Sequence, residues 1–190
     1  MINRREFLQG SATISAASLT AHPVFAKEQP LVLRAAVIDT RFAATALFGI
    51  QARLRGLTVH EIDGDITTLW LQHLNKSWSA QPTALAGLSA RPALFCLEQL
   101  AWDKGLRVIY HAEHKLTAAQ QYHHTILTPL PGLDSTVLNT AGSRWPAYSA
   151  ELLSAIQGLP RTCYPSQACL PASHDDDVRT LHSWVLAPLS

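Results

Sequence analysis

The sequence LVLRAAVIDTRFAATALFGIQARLRG, residues 31–56, predicts a buried strand, a short polar turn and an amphipathic helix that ends at a glycine. Residues 31–38 are apolar apart from Arg34, which is typical of a strand buried on both faces of a parallel sheet. From residue 42 onward, apolar side chains recur at helical spacing, and Gly56 suits the end of the helix. The stretch therefore predicts the first half of a βαβ unit.

Similar patterns follow as far as residue 114. We predict strands over residues 57–62, 83–88 and 106–110, helices over residues 65–74 and 91–104, and a loop over residues 75–82. Four strands alternating with three helices indicate an α/β domain with helices on both faces of the sheet. Right-handed crossovers favour a flavodoxin-like or Rossmann-like parallel sheet in strand order 2-1-3-4, with the switch point between strands 1 and 3.

The alternation is lost after residue 115. We expect residues 115–190 to form an irregular C-terminal extension of a winding core that covers residues 31–114. Within this extension we predict a short helix over residues 117–122, a helix over residues 146–156 and a last strand over residues 181–187, at an edge of the sheet. The sequence contains no internal repeats.

The N-terminus carries an export pattern. Residues 3–9, NRREFLQ, resemble the twin-arginine export motif in the arginine pair, Phe7 and Leu8, and depart from its preferred residues at Asn3 and Gln9. Residues 10–21 are too few and too polar to span a bilayer core of about 30 Å, and Val24-Phe25-Ala26 suits signal cleavage. The resemblance implies a signal peptide over residues 1–26, one α/β domain over residues 27–190, and a periplasmic product with no membrane anchor after cleavage.

The export pattern also bears on partners. The twin-arginine route carries proteins that have already folded, often with a cofactor or together with a partner that holds one. The resemblance therefore favours a cofactor or an exported oxidoreductase partner, and it identifies neither.

Charge and cysteine content narrow the class of protein. Removal of residues 1–26 from a chain with 15 basic and 14 acidic residues leaves 13 of each, so no net charge remains to attract nucleic acid.

The sequence has three cysteines. Cys96 falls in a predicted helix, where a buried thiol is expected. Cys163 and Cys169 flank a turn-rich segment, and we predict a disulfide between them in an oxidising compartment.

Polar residues follow each predicted strand of the winding core. In open α/β sheets, ligands bind beyond the carboxyl ends of the strands. Eight residues fall there: Asp39, Thr40, Arg41, Asp63, Asp65, Ser89, Arg91 and His111. Helix N-termini at the same edge favour anions and the two arginines add forked contacts, so we expect a small anionic ligand. Helix capping is the competing interpretation for Asp39, Asp65 and Ser89, and surface exposure is the competing interpretation for the arginines, although a cation in a first helical turn opposes the helix dipole.

Histidines offer a metal-binding alternative. The candidate ligands are His111, His114, His123 and His124, with Glu113 or Asp134. The sequence lacks HExxH and i,i+4 histidine spacing, so surface or core histidines are the preferred interpretation. It also lacks GxGxxG, a P-loop and a nucleophile elbow, which argues against common nucleotide sites and serine hydrolases.

These patterns favour an exported, noncatalytic protein that binds a small molecule or acts as an accessory subunit beside a larger exported enzyme. One alternative is a small enzyme that uses Asp39, Asp63 or Asp65 as acid–base groups on an anionic substrate. Another alternative is a metal-binding protein that uses the histidine cluster. The sequence identifies neither a reaction nor a cofactor.

Overall fold

The computed structural model describes residues 31–128, 135–156 and 180–188. In these residues one six-stranded sheet carries helices on both faces. The strands are β1 (Leu33–Asp39), β2 (Thr58–Ile62), β3 (Ala84–Ser89), β4 (Leu106–Leu116), β5 (Tyr122–Thr128) and β6 (Thr180–Pro188). The helices are α1 (Ala44–Leu54), α2 (Thr67–Leu69), α3 (Asn75–Ala80), α4 (Arg91–Trp102), α5 (Ser135–Thr140) and α6 (Trp145–Ala155). None of them is long and apolar enough to cross a membrane.

The sheet is mixed, in the order β2-β1-β3-β6-β4-β5. β1 pairs in parallel with β2 and β3, whereas β6 lies antiparallel between β3 and β4, and β5 is antiparallel to β4. The α/β class is confirmed, but the all-parallel order 2-1-3-4 is wrong. Because β6 is antiparallel to both of its neighbours, β4 still runs in the same direction as β1, β2 and β3. Their carboxyl ends therefore share one edge, here called the carboxyl edge.

β6 is a central strand rather than the predicted edge strand. Residues 180–187 are all buried. Its two faces belong to the two cores, with Val185 and Ala187 packed on one side of the sheet and Trp184 and Leu186 on the other, which explains the apolar run Trp184-Val185-Leu186-Ala187. Of the three polar side chains in its first half, His182 pairs with His111 and Ser183 with His114, whereas the Thr180 hydroxyl has no hydrogen-bond partner among the described residues.

Two local predictions are also wrong. The predicted loop over residues 75–82 is helical as far as Ala80, because α2 continues through a π-helical turn, Trp70–Leu74, into α3. The predicted helix over residues 117–122 is the turn of a hairpin, because β4 extends to Leu116 and pairs with β5. Within this turn Gln120 adopts a φ of 58°.

The cysteines depart from expectation or lie outside the described residues. Cys96, expected to be buried, is exposed on α4. Cys163 and Cys169 fall outside the described residues, as do the export pattern and Asp134, so the predicted disulfide stays a prediction.

The two faces of the sheet have separate cores. One core lies under α1 and α6 and includes Phe48 and Trp145. The other lies under α2, α3 and α4 and includes Trp78 and Trp184. Trp184 packs against Gly87 of β3, where a Cβ atom would overlap the indole ring. Gly87 therefore provides the space for Trp184, the largest side chain of β6.

Candidate functional site

Asp39, at the end of β1, is fully buried and held by its neighbours. Arg41 donates from Nε to Oδ1 at 2.9 Å and from Nη2 to Oδ2 at 2.7 Å, and the backbone N–H of Ala90 donates to Oδ2 at 3.4 Å. This pairing offsets the cost of burying a carboxylate. Asp39 does not cap α1, whose N-terminal residue Ala43 has no side-chain cap. The pair instead ties the end of β1 to the start of α4.

Gly64 provides the space that the Arg41 guanidinium occupies. Gly64 has a φ of 97°, and a Cβ atom there would overlap the guanidinium. We expect Gly64→Ala to destabilise the protein by about 1–3 kcal/mol through the unfavourable backbone conformation, and by more if Arg41 is displaced from Asp39. Urea unfolding measures the loss.

Gly105→Ala is the matched control for that substitution. Gly105 has a φ of 75°, and a Cβ there would meet no atom within 4 Å, so the change adds backbone strain alone. An equal loss in both variants would contradict a steric role for Gly64 beside Arg41.

An open cleft of about 650 Å³ lies along β2 and reaches Thr40, the residue after β1. We call it the edge cleft. Its polar lining residues are Thr40, His60, Glu61, Asp63, Asp65, Thr68 and His73. Three of the sequence-predicted site residues, Thr40, Asp63 and Asp65, therefore share one cavity.

The lining of the edge cleft is rich in carboxylates. Glu61 forms an ion pair with Arg53 at 2.7 Å. Asp65 Oδ1 accepts hydrogen bonds from the Thr67 hydroxyl at 2.7 Å and the Thr67 N–H at 2.8 Å, and these bonds lower the pKa of Asp65. Asp63 completes the acidic set. The cleft therefore presents negative charge at neutral pH.

Two histidines stand beside these carboxylates. The rings of His60 and His73 lie with their centroids 5.0 Å apart. Burial, and then the neighbouring His73, lower the pKa of His60, so this ring is neutral at pH 7. Sequence reasoning missed both histidines, because His60 lies within β2 and His73 within the π-helical turn rather than after a strand.

The edge cleft is not lined by Ser89 or His111, which lie on strands beneath α4, or by Arg91, which is the first residue of α4. Ser89 is fully buried and accepts a hydrogen bond from Trp184 Nε1 at 3.0 Å. The Arg91 side chain is 12% exposed and lies 4.0 Å from Glu98. Its Nη1 atom is buried and has no hydrogen-bond partner among the described residues. The structure thus divides the predicted site into two groups, with the pair of Asp39 and Arg41 as a third element.

His111 forms a buried pair with His182. His111 Nε2 and His182 Nδ1 are 2.9 Å apart, and the remaining ring nitrogens have no partner within the described residues. Burial, followed by the charges around each ring, lowers the pKa of His111 to about 3 and that of His182 to about 4, and the Arg91 charge contributes to both. Both rings are neutral at pH 7. His182 was missed in sequence because its strand was predicted at an edge.

A second histidine pair lies on the opposite face of the sheet. His114 Nδ1 is 2.7 Å from His124 Nδ1, and His114 Nε2 is 2.7 Å from Ser183 Oγ. Burial lowers the pKa of His124 to about 4 and that of His114 well below its ordinary value. Since alternate residues of a strand point to opposite faces, His111 and His114 do not converge. Over the described ranges, no group of three or more His, Cys, Asp or Glu side chains could hold a metal ion.

The sequence-predicted residues thus have three different surroundings: an open acidic cleft, a buried ion pair, and a buried cluster beneath α4. The first combines predicted residues with a cavity that a small molecule can enter. Comparisons of the chain with protein-family models, with curated proteins and with solved structures found no match.

Proposed function

We propose that this protein binds a small molecule in the edge cleft, and that the ligand carries a positively charged group such as an amine. The observation that carries the proposal is the meeting of Thr40, Asp63 and Asp65 in one cavity at the carboxyl edge. Such edges are where open α/β sheets hold their ligands, and a volume of about 650 Å³ suits a small organic molecule.

Charge selects the class of ligand. Carboxylates from β2 and from the loop after it line the cleft, and the neutral His60 does not offset them. An amine that enters can form charge-assisted hydrogen bonds with free carboxylate oxygens, whereas an anion is repelled. The anionic ligand predicted from the sequence would instead need Arg91, which is 12% exposed.

Binding rather than catalysis is the role that these groups support. Both oxygens of Asp39 are engaged by Arg41, so this carboxylate is not free to exchange a proton with a substrate. The Thr40 hydroxyl donates to the Ile62 carbonyl oxygen at 3.0 Å and is likewise committed to the fold. The small-enzyme alternative would therefore depend on Asp63 and Asp65 alone.

Isothermal titration with putrescine and with succinate tests the ligand class. We expect putrescine to bind, and Asp63→Asn and Asp65→Asn each to weaken it by about tenfold or more, since a charge-assisted hydrogen bond contributes roughly 1.5–3 kcal/mol. Asp103→Asn, an exposed change after α4, is the matched control and should leave binding unchanged. Binding of succinate that is lost in Arg91→Gln, with no binding of putrescine, would overturn the proposal in favour of the anionic ligand.

An accessory role beside a larger exported enzyme is the second candidate, and the surface of α1 favours it. Leu47, Ile50 and Leu54 are 43%, 52% and 75% exposed, and their spacing brings them towards one side of the helix. Contiguous exposed apolar side chains of this kind often mark protein interfaces.

The accessory role predicts a complex in the periplasm. We expect the processed protein to elute from a sizing column with a mass well above the 20.8 kDa of the unprocessed 190-residue chain, and Ile50→Glu with Leu54→Glu to return it to the monomer position. Leu71→Glu is the control, since this side chain is 66% exposed and lies outside α1.

Replacement of Arg4 and Arg5 by lysine should block export, and processing that continues in this variant would argue against the twin-arginine route.

A further inference from the structure

A second cavity, of about 540 Å³, lies beside the turn between β4 and β5. We call it the hairpin cleft. Gln120 and Gln121 of the turn, Tyr122 and His124 of β5, Asn139 of α5 and Ser143 line it, together with apolar residues of α1 and the start of α6. It shares no lining residue with the edge cleft.

The hairpin cleft is polar but uncharged. None of its lining side chains is an acid, a lysine or an arginine, and its one histidine, His124, is neutral at pH 7 because burial lowers its pKa to about 4. The side-chain amides of Gln120, Gln121 and Asn139 each offer both donors and an acceptor. An ionised ligand would lose hydration here without meeting an opposite charge. The cleft therefore suits a neutral ligand with several hydroxyl groups.

His124 adds a hydrogen-bonding group whose direction can reverse. Its Nδ1 is engaged by His114, whose Nε2 is engaged by the Ser183 hydroxyl, so Nε2 of His124 is the ring nitrogen left for a ligand. When Ser183 donates to His114, His114 donates to His124, and Nε2 of His124 carries a proton. When both hydrogen bonds reverse, His124 donates to His114, His114 donates to Ser183, and Nε2 of His124 is an acceptor. Ser183 also hydrogen-bonds Tyr110, which gives its proton a second partner in that state.

Aromatic rings supply an apolar wall. Tyr122 is half-buried, and its ring centroid lies 4.9 Å from that of Trp145. The ring centroid of Trp145 lies 4.2 Å from that of His114. This stack fixes the Tyr122 ring at the cleft. The C–H face of a sugar ring can pack on such an aromatic surface while its hydroxyls bind the amides.

We propose that the hairpin cleft binds a neutral, polyhydroxylated ring of the monosaccharide class, with Gln120, Gln121, Asn139 and His124 as its polar contacts. A hydroxyl group both donates and accepts, which matches the amides and the reversible Nε2 of His124. This site is independent of the edge cleft and of the charge of its ligand.

Saturation-transfer NMR and titration calorimetry with D-glucose, D-galactose, D-mannose and myo-inositol test the proposal. We expect at least one of them to bind, and the charged analogues D-glucuronate and D-glucosamine to bind about tenfold more weakly than the matching neutral sugar, equivalent to 1.4 kcal/mol. Ser143→Trp, which fills the cleft from an exposed position, should abolish binding. Gln99→Trp, at an exposed position of α4, is the matched control and should not.

Two further variants separate this site from misfolding and from the edge cleft. His124→Gln keeps a donor and an acceptor and should retain more binding than His124→Leu, with both variants checked for native unfolding transitions. Asp63→Asn should leave sugar binding unchanged. Failure of all four neutral probes, equal binding of the charged analogues, or unchanged binding in Ser143→Trp would overturn the proposal, whatever the outcome at the edge cleft.

Discussion

Acidification from pH 7 to pH 5 should remove several kcal/mol of the free energy of unfolding. Four buried histidines are responsible: His111, His114, His124 and His182. Their pKa values in the folded protein lie far below the ordinary value of 6.5, at about 3 for His111 and about 4 for His124 and His182. In the unfolded chain the same rings take up protons near pH 6.5.

The sign follows from proton uptake. Between pH 6.5 and the folded pKa values, the unfolded chain binds more protons than the folded protein, so stability falls as the pH falls. Each histidine contributes up to about 1.4 kcal/mol per pH unit, or about 2 kcal/mol by pH 5. Four such groups approach the 5–15 kcal/mol that holds a typical domain folded. The stabilisation is fully present above pH 6.5.

Urea unfolding followed from pH 7.5 to pH 4.5 measures this slope. His124→Gln should make the slope shallower, because one ring that resists protonation in the folded state is removed. Gln121→Asn, at an exposed position of the same hairpin that carries no titrating group, is the control and should leave the slope unchanged. A stability that is flat across this range in the wild-type protein would contradict the buried, neutral state of these rings.

Replacement of Trp184 by alanine should cost about 3–5 kcal/mol of stability. The indole is fully buried at the centre of the sheet, packs over Gly87 and donates from Nε1 to Ser89. Its loss leaves a cavity between β6 and the helices of that face. Trp184→Phe keeps part of the volume and should cost less. Trp102→Ala, at a side chain that is 55% exposed, is the control.

The converse change tests the same contact from β3. Gly87→Val places a side chain where the indole lies, and overpacking of this kind costs about 1–3 kcal/mol or more. If the indole is the obstacle, Gly87→Val should be tolerated better in the Trp184→Ala background than in the wild type. Strict additivity of the two losses, measured by urea unfolding, would show that the clash is not the cause.

Local pattern was enough to predict the winding core, and long-range pairing explains where prediction failed. The apolar run and helical spacing of residues 31–56 predict β1 and α1 because each signal lies within one element. The insertion of β6 depends on residues about a hundred positions away in β3, and periodicity carries no information about which strand lies beside which. The apolar run of residues 184–187 is a signal of burial on both faces, and the prediction of an edge strand did not use it.

The candidate site was predicted in part for the same reason. Thr40, Asp63 and Asp65 follow strands that do run to one edge, so their placement follows from topology. His111 was expected to follow a strand, but β4 runs on to Leu116, so His111 lies inside the strand and pairs with the buried His182 of β6. The hairpin cleft depends on β5, whose residues were predicted as irregular chain.

The central position of β6 has a consequence for how the protein folds. Residues 180–188 join two smaller sheets, β2-β1-β3 and β4-β5, that share no strand pairing with each other. Until this segment has left the ribosome, β3 and β4 each present an unpaired edge, and such edges invite pairing with other chains. β6 therefore joins the two smaller sheets into one cooperative unit, and because it pairs with strands that are far away in the sequence, folding should be slow for a protein of this size.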